Sequence, residues 1–328
     1  MKKQILNTII RRIFTSLIVL FLLITFIFFL LRISPGNPTQ KFISPELSPK
    51  LAEKVKESFN LDKPLFKQYE SFIGNLIKGN FGISYTYRAP VLSVIWNFLP
   101  FTLMFSLMSF IIQIGFGFLL SFLAVKNING KLDHLISKSS LMIYAIPSFV
   151  IGVSLIYIFS VQFNLLPSSG FSSINSYSLS FIGKLWDHLE HLILPLITLS
   201  LGGIAIYFRY LRDNLEDVYN QTFILNLRAN GFSEKEITKK HVIPNAVSPL
   251  ISVAGVELGL LFSGALITEV IFGLPGMGRL TINAILSRDY PLVIGCTFVS
   301  GVLIIISNLI ADLFKAKIDK RLLKEILN

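Results

Sequence analysis

Residues 221–249 read QTFILNLRANGFSEKEITKKHVIPNAVSP, the longest polar interruption in the second half of a very apolar chain. Near its start, Phe223, Ile224 and Leu227 recur at i, i+1 and i+4, the spacing of one face of a helix. This pattern predicts a short helix over 223–229. We refer to the whole stretch as the 221–249 loop.

Helix punctuation continues along the loop. Asn230-Gly231 predicts a helix stop, because glycine adopts the left-handed backbone conformation at almost no steric cost. Ser233 followed by Glu236 is the pattern of a capping box, which predicts a second helix from that point. Two short helices joined by a glycine hinge, between membrane spans, would form a compact knob outside the bilayer that is suited to binding another protein.

The composition indicates a membrane protein. Of 328 residues, 52% are hydrophobic and 15% are charged, whereas soluble domains carry about 25% charged residues. The net charge of +11 then favours lysine and arginine at the membrane edge rather than a nucleic-acid partner. Cys296 is the single cysteine, which excludes an intrachain disulfide and a multi-thiolate metal site.

Six apolar runs predict six membrane-spanning helices, since about 20 apolar residues in a helix cross the hydrocarbon core. The first run, 13–31, is longer than the roughly 7–15 apolar residues of a signal peptide, so we expect it to be retained as a span. Pro147 predicts a kink in the third span. The six runs are 13–31, 101–124, 139–160, 192–208, 249–272 and 290–311, and the small residues expected to allow close packing are Gly115, Gly117, Gly202, Gly203, Gly255, Gly259 and Gly264.

A long polar segment, 32–100, separates the first two spans. Two amphipathic helices are expected in it because apolar residues recur at helical spacing. The first carries Leu51, Val55 and Phe59, and the second carries Leu65, Tyr69, Phe72, Ile73 and Leu76.

The distribution of basic residues predicts the orientation. With the N-terminus inside, the inner segments hold 18 lysines and arginines, and the two short outer loops hold 3. By the positive-inside rule, both termini and the 221–249 loop lie in the cytoplasm, and segment 32–100 lies outside.

The loop also resembles a known family. Arg228-Ala229, Gly231, His241 and Asn245-Ala246 resemble the cytoplasmic loop of binding-protein-dependent ABC importer permeases, in the dipeptide, oligopeptide and nickel family. The match is to the B-type subunit. The chain departs from the family pattern at residues 225–227, at Asn230 and at Pro244.

Four further stretches carry the same resemblance. LDKPLFKQY and GNFGIS in segment 32–100 are similar to the family's external segment, and RDYP at 288–291 matches its motif. The stretch EVIFGLPGMGRL, starting at Glu269, resembles the family's loop after the fifth span. The tail around Asp312 resembles the family's C-terminal tail.

The resemblance implies an all-α, six-span permease subunit that forms half of a pathway for dipeptides or oligopeptides, in a bacterial inner membrane. It implies a second, similar permease, two ATP-binding subunits and an extracytoplasmic binding protein as partners. Nickel or a metal chelate is the alternative cargo, and a stand-alone secondary transporter is a remote alternative with too few intramembrane ionisable groups. The residues that the resemblance assigns to contact with the ATP-binding subunits are Phe223, Ile224, Leu227, Arg228, Ala229, Gly231, Ser233, Glu236, His241 and Asn245.

No catalytic chemistry is expected in this chain. It lacks a Gly-rich phosphate loop ending in Gly-Lys-Ser/Thr, so it should not bind ATP in that way, and no clear Ser, His and Asp set stands out. No cofactor or metal is expected here, and the resemblance implies that ATP is used by the partner subunits. His188 and His191, with Asp187 and Glu190, are interpreted as structural rather than as a metal site. His134 is likewise structural, and His241 is expected to hold the two knob helices together.

The predicted organisation has four parts: 1–31, the external segment 32–100, the permease core 101–315 with its coupling loop 209–248, and the tail 316–328. Glu257 lies about eight residues into the fifth span, where an ionisable group faces the bundle interior or water. It either lines the pathway or is a buried carboxyl bonded to a neighbouring helix. The Pro-Gly-x-Gly turn is either an outer constriction or a plain loop. The pathway and gate candidates are Glu257, Glu269, Pro275, Gly276, Gly278, Arg279 and Asp289.

Overall fold

The computed structural model describes residues 2–33 and 63–318, and this part of the chain is almost entirely helical. The long helices are α1 (Lys2–Ile33), α3 (Val91–Val125), α6 (Phe181–Tyr219), α9 (Ile243–Phe262) and α12 (Tyr290–Ile318). The shorter ones are α2 (Leu65–Ile77), α4 (Lys131–Ala145), α5 (Ser148–Leu155), α7 (Thr222–Ala229), α8 (Glu234–Ile237), α10 (Leu266–Ile271) and α11 (Met277–Leu286). A π-helical turn, Ile156–Gln162, extends α5, and a second one, Thr238–Val242, joins α8 to α9.

Five helical segments are long and apolar enough to cross a membrane. They are Ile10–Ile33, Val91–Val125, Phe181–Tyr219, Glu234–Ile271 and Tyr290–Phe314. Helix α4 and the helix that follows it pass the same test together, as one bent pair. The all-helical class is therefore confirmed, and the count reaches six spans when the bent pair is taken as one.

The third predicted span is broken rather than kinked. Helix α4 ends at Ala145, α5 begins at Ser148, and the two axes differ by 97°. Pro147 lies outside both helices, because a proline pushes the residue before it, here Ile146, into an extended conformation with φ −83° and ψ 124°. The prediction of a proline inside a continuous helix was wrong.

The fourth and fifth spans also differ from their predicted bounds. Helix α6 has 39 residues and is about 58 Å long, far more than the run 192–208, because its amphipathic ends are held by contacts outside the apolar stretch. Helix α9 ends at Phe262, ten residues before the predicted end at 272. Gly264 follows with φ +111°, and an added Cβ there would lie 2.7 Å from the backbone nitrogen of Gly278.

The second amphipathic helix of segment 32–100 is confirmed as α2, which packs on the first span. Tyr69, Phe72 and Leu76 contact a cluster that contains Leu20 and Phe28. The rings of Phe28 and Phe72 stack with centroids 4.9 Å apart. The other predicted amphipathic helix, with Leu51, Val55 and Phe59, lies outside the described residues.

Helices α3 and α6 pack closely along a seam of the core. An added Cβ on Gly117 would lie 2.5 Å from Cβ of Tyr207, so only glycine fits between these two helices. Hydroxyl hydrogen bonds also cross the seam, including one of 2.9 Å between Ser109 and Ser200. Gly255 packs in the same way on Ala311 of α12. By contrast, Gly115 and Gly202 face open space, and their predicted role in close packing was wrong.

Candidate docking loop and buried carboxylates

The helix predicted at the start of the 221–249 loop is α7, and glycine ends it. Gly231 has φ +83° and donates its N–H to the Arg228 carbonyl at 3.0 Å. Phe232 donates to the Leu227 carbonyl at 3.2 Å. These two bonds define a Schellman motif, in which the left-handed residue lets the last carbonyls of the helix be satisfied. The conformational role predicted for Gly231 is confirmed.

The start of the next helix is also confirmed. The Ser233 hydroxyl accepts the backbone N–H of Glu236 at 3.3 Å, which caps α8. Arg228 donates to both carboxylate oxygens of Glu234, at 2.5 and 3.2 Å, across the glycine turn. The hydrogen bond to the Glu234 carboxylate raises the pKa of Arg228. Because this pair is exposed, it contributes little to the stability of the protein.

The second knob helix is not a separate element. Helix α8 has only four residues and continues through the π-helical turn into α9, the fifth span. The ring of His241 lies edge-on to Phe232, with centroids 6.4 Å apart, and this contact links the end of α7 to the base of the span. The side chain of Asn245 donates to the His241 carbonyl at 2.6 Å. Helix α7 is therefore in contact with the base of the membrane-spanning helix that follows it.

One face of α7 rests on the core and the rest is exposed. Ile224 is completely buried, in a cluster with Leu211, Leu215 and Ile237, while Leu227 packs partly against it. Phe223 is 36% exposed and Leu225 59% exposed. The predicted apolar face was therefore too wide. The sequence analysis did not identify Ile237 as a buried residue or Leu225 as an exposed apolar one. Ile237 lies four residues after the cap residue Ser233, a helical spacing that could have indicated it.

A buried ion pair, which the sequence analysis missed, ties the third span to the base of the loop. Arg212 on α6 donates to Asp133 on α4 at 2.7 Å, and it also binds Glu216 one turn along its own helix. The Asp133 carboxylate further accepts the backbone N–H of Asn129 at 2.9 Å. The two residues are 79 positions apart, and no local pattern indicates their pairing.

The Pro-Gly-x-Gly stretch is a tightly packed helix start. The Glu269 side chain is completely buried and accepts hydrogen bonds from the Thr102 hydroxyl at 3.1 Å and from the Arg279 backbone N–H at 2.9 Å. An added Cβ on Gly276 would lie 2.3 Å from the Glu269 carboxyl carbon. The carboxylate thus binds the N-terminal end of α11, where a helix favours negative charge.

Asp289 plays a similar part at the start of α12, and it joins two motifs that the sequence analysis treated separately. Its carboxylate accepts the Ser84 hydroxyl at 2.5 Å and the Thr86 backbone N–H at 2.9 Å, and it accepts the Leu292 N–H of its own helix at 3.3 Å. The Gly-x-Ser of the 32–100 segment therefore sits on the RDYP motif, more than 200 residues away.

Glu257 faces the bundle interior. It lies on the same face of α9 as Ala246, Leu250 and Leu261, all of which are buried. Its own side chain is half-buried. The burial is the placement predicted for a membrane-embedded carboxylate.

The residues around His188 form a structural corner. Asp187 accepts the backbone N–H of Ser173 at 2.9 Å as well as its hydroxyl. His188 stacks on Phe171 with ring centroids 4.2 Å apart, and its Nδ1 lies 2.9 Å from the Phe171 carbonyl oxygen. Within the described residues there is no group of three or more His, Cys, Asp or Glu side chains that could hold a metal ion. The stacking and the hydrogen bond of His188 are consistent with the structural interpretation of this residue.

These features define a class: a multi-span α-helical membrane protein that presents a firmly seated, exposed helix between two of its spans. Residues 113–324 match the model of the family described as binding-protein-dependent transport system inner membrane component, and residues 5–106 match the model of its N-terminal region. The chain belongs to this family, and it is a multi-pass protein of the bacterial inner membrane.

Curated relatives align over almost the whole chain. The oligopeptide transport system permease protein AppB of Bacillus subtilis is 33% identical, covering 96% of this chain and 98% of its own length. The dipeptide transport system permease protein DppB of Lactococcus lactis is 31% identical, covering 95% and 98%. A crystal structure of an amino acid ABC transporter with histidines matches 69% of this chain and 94% of its own, with a TM-score of 0.54 and 16% identity, which shows a shared fold.

Proposed function

We propose that this chain is one of two permease subunits of an ATP-driven importer of dipeptides or oligopeptides. The observation that carries the proposal is the end-to-end similarity to permeases named for oligopeptide and dipeptide transport. Those names favour peptides over nickel or a metal chelate as the cargo. The partners are a second permease, two ATP-binding subunits and an extracytoplasmic binding protein.

The 221–249 loop is the proposed contact with an ATP-binding subunit. Helix α7 offers an exposed surface around Phe223, Leu225 and Arg228, while Ile224 holds it on the core. Because the following helix is continuous with the fifth span, closure of the ATP-binding subunits would pull on that span. ATP hydrolysis itself belongs to the partners.

We place the pathway candidates at two levels. Glu257 lies within the bundle, and Glu269, Arg279 and Asp289 lie at the opposite end from the 221–249 loop. Since two of these carboxylates hold helix starts, they would act by keeping the outer end rigid rather than by touching the cargo. Pro275, Gly276 and Gly278 belong to the same tightly packed turn.

Reconstitution tests the proposal. Proteoliposomes that contain this chain, the second permease and both ATP-binding subunits should import labelled dipeptides or oligopeptides when ATP and a loaded binding protein are supplied. Nickel ions alone are the comparison cargo. Uptake of nickel without peptide uptake, or solute movement by this chain alone along an ion gradient, would contradict the proposal.

Cysteine labelling tests the orientation. The single native cysteine, Cys296, is buried, so the unmodified protein should react little with an impermeant maleimide. Asn226→Cys in α7 should react only after the inner face of the membrane is opened. Ile174→Cys, at a position that is 95% exposed in the loop after the third span, should react in intact cells. The reverse pattern would show that the loop lies outside.

A further inference from the structure

A cavity of about 220 Å³ lies where the end of the first span meets α2 and the start of α12. Its lining combines aromatic rings with side chains that can donate hydrogen bonds, and none of the described residues around it is an aspartate or a glutamate. The donors include Arg32 on α1, Ser71 and Asn75 on α2, Asn80 just after α2, and Tyr290 on α12. This set of side chains suits a negatively charged group that carries several acceptor oxygens.

Arg32 is the charged member of the lining, and its side chain is half-buried. Its guanidinium carbon lies 5.3 Å from the centroid of the Phe28 ring on the same helix. No carboxylate among residues 2–33 and 63–318 pairs with it. A guanidinium has five N–H donors and keeps its charge, so the face of one ring satisfies it only in part. Because removing an unpaired charge from water is costly, the position calls for an anion.

Two neutral side chains add donors to the same cavity. Tyr290 is only 5% exposed, and its hydroxyl makes no hydrogen bond within the described part of the chain. Asn80 uses its side-chain oxygen to accept the Gly82 N–H at 2.9 Å, so its free end is the Nδ2 donor. One bound group with several acceptor oxygens would satisfy both of these donors together with the guanidinium.

The cavity lies at the boundary of the membrane. The first span ends at Ile33, so Arg32 is in its last turn, where the lipid headgroups begin. The span itself faces lipid over much of its surface, since Phe26 is 63% exposed and Leu30 is 54% exposed. An anion at this level is most readily supplied by the membrane.

Helix α2 lies against this end of the span and has the character of an interfacial helix. The hydroxyl oxygens of Tyr69 and Thr25 are 2.9 Å apart and share a hydrogen bond. Phe66 is 76% exposed and Ile77 is 81% exposed, which suits a helix that inserts apolar side chains into the membrane surface. The stretch 63–83 holds three lysines and one glutamate, so it also attracts anionic lipids.

We propose that this cavity binds the phosphate of a phospholipid, with Arg32, Tyr290 and Asn80 as donors. A phosphate diester presents its negative charge on two oxygens, which matches the fork of a guanidinium. The position at the headgroup level favours a phospholipid over a soluble anion. The apolar lining that would meet its glycerol and acyl chains is Phe28, Leu31 and Ile294. The bound lipid would join the first span, α2 and the sixth span, and the inference is independent of the cargo.

A thermal-shift titration of the purified full-length chain in a phosphorus-free detergent tests the site. Phosphatidylglycerol should raise the Tm by about 2 °C over diacylglycerol with the same acyl chains, as expected for a ligand at tenfold its Kd. Arg32→Gln should abolish this difference. Arg11→Gln removes an exposed charge near the other end of the same helix and should preserve it. The site is overturned if the unmodified chain shows no difference, if Arg32→Gln retains it, or if Arg11→Gln loses it equally.

Tyr290→Phe keeps the test decisive if Arg32→Gln does not fold, because it deletes one hydroxyl and retains the ring. It should raise the phosphatidylglycerol concentration at the titration midpoint about tenfold, the effect of losing one hydrogen bond to a charged group. A midpoint equal to that of the unmodified chain would show that no phosphate lies against this hydroxyl, and the site as proposed would fall.

Inorganic phosphate distinguishes the source of the anion. Sodium phosphate should leave the Tm where sodium chloride of equal ionic strength leaves it, because the free ion lacks the acyl chains that meet the apolar lining. A rise as large as that produced by phosphatidylglycerol, with no further gain when the lipid is added, would assign the cavity to a soluble anion and overturn the phospholipid.

Discussion

Gly231→Val will lower ATP-driven uptake by the reconstituted importer about tenfold or more while leaving the membrane-embedded core folded. Gly231 holds a left-handed conformation, φ +83°, that costs other residues about 1–2 kcal/mol and a β-branched residue more. No atom lies within 4 Å of an added Cβ, so the effect is conformational rather than steric. Relief of the strain would turn α7 away from the angle set by the Schellman motif.

Two control variants isolate the backbone effect. Gly231→Asn should retain most of the uptake, because asparagine tolerates the left-handed region better than other residues with a side chain. Gly74→Val makes the same chemical change at an exposed helical position with open space and should transport normally. Uptake by Gly231→Val at the unmodified rate, at matched protein levels, would count against a role for the turn in coupling.

Glu269→Ala will destabilise the protein by about 3–5 kcal/mol, since each buried donor left without an acceptor costs about 1–3 kcal/mol. Removing the carboxylate leaves the Thr102 hydroxyl and the Arg279 backbone N–H without their acceptor. The Thr102 hydroxyl oxygen also accepts the Met277 N–H at 2.7 Å, so the whole start of α11 depends on this arrangement.

Thermal unfolding of the purified chain in detergent measures the effect. Glu269→Gln should fall between Glu269→Ala and the unmodified protein, because the amide keeps one acceptor and turns a donor towards the Arg279 N–H. Asp217→Ala removes a carboxylate from an exposed position and should melt with the unmodified protein. If Glu269→Ala unfolded at the same temperature as the unmodified protein, the carboxylate would not be what holds the turn together.

The helix signals of the 221–249 loop were local, and they predicted its structure well. Gly231 and Ser233 act through bonds to residues three to five positions away, so the sequence around them contains the information needed. The extent of the elements was predicted less well. Nothing in residues 233–249 shows that α8 merges with the fifth span, because that continuity depends on packing against α6.

Some features of the candidate sites were predictable from the sequence, and others depended on contacts between distant residues. Glu257 stood out because an acid within an apolar run is rare, and its placement towards the interior followed from the cost of exposing it to lipid. The turn at Pro275 and the acid at Asp289 were noted as motifs, and their role as pathway or gate residues stays a prediction, but the side chains that they contact were not foreseen. The partners Thr102 and Ser84 lie 167 and 205 residues from the carboxylates that they bind.

The sequence by itself determined the membrane class, the apolar spans, the helix caps and the family resemblance, because each depends on composition or on contacts within one turn of helix. The tertiary structure alone decided which side chains meet: Arg212 with Asp133, Thr102 with Glu269, and Ser84 with Asp289. Such pairings follow from the register between helices, which is fixed by close approach at residues such as Gly117 and Gly203 and leaves no periodic trace in the chain.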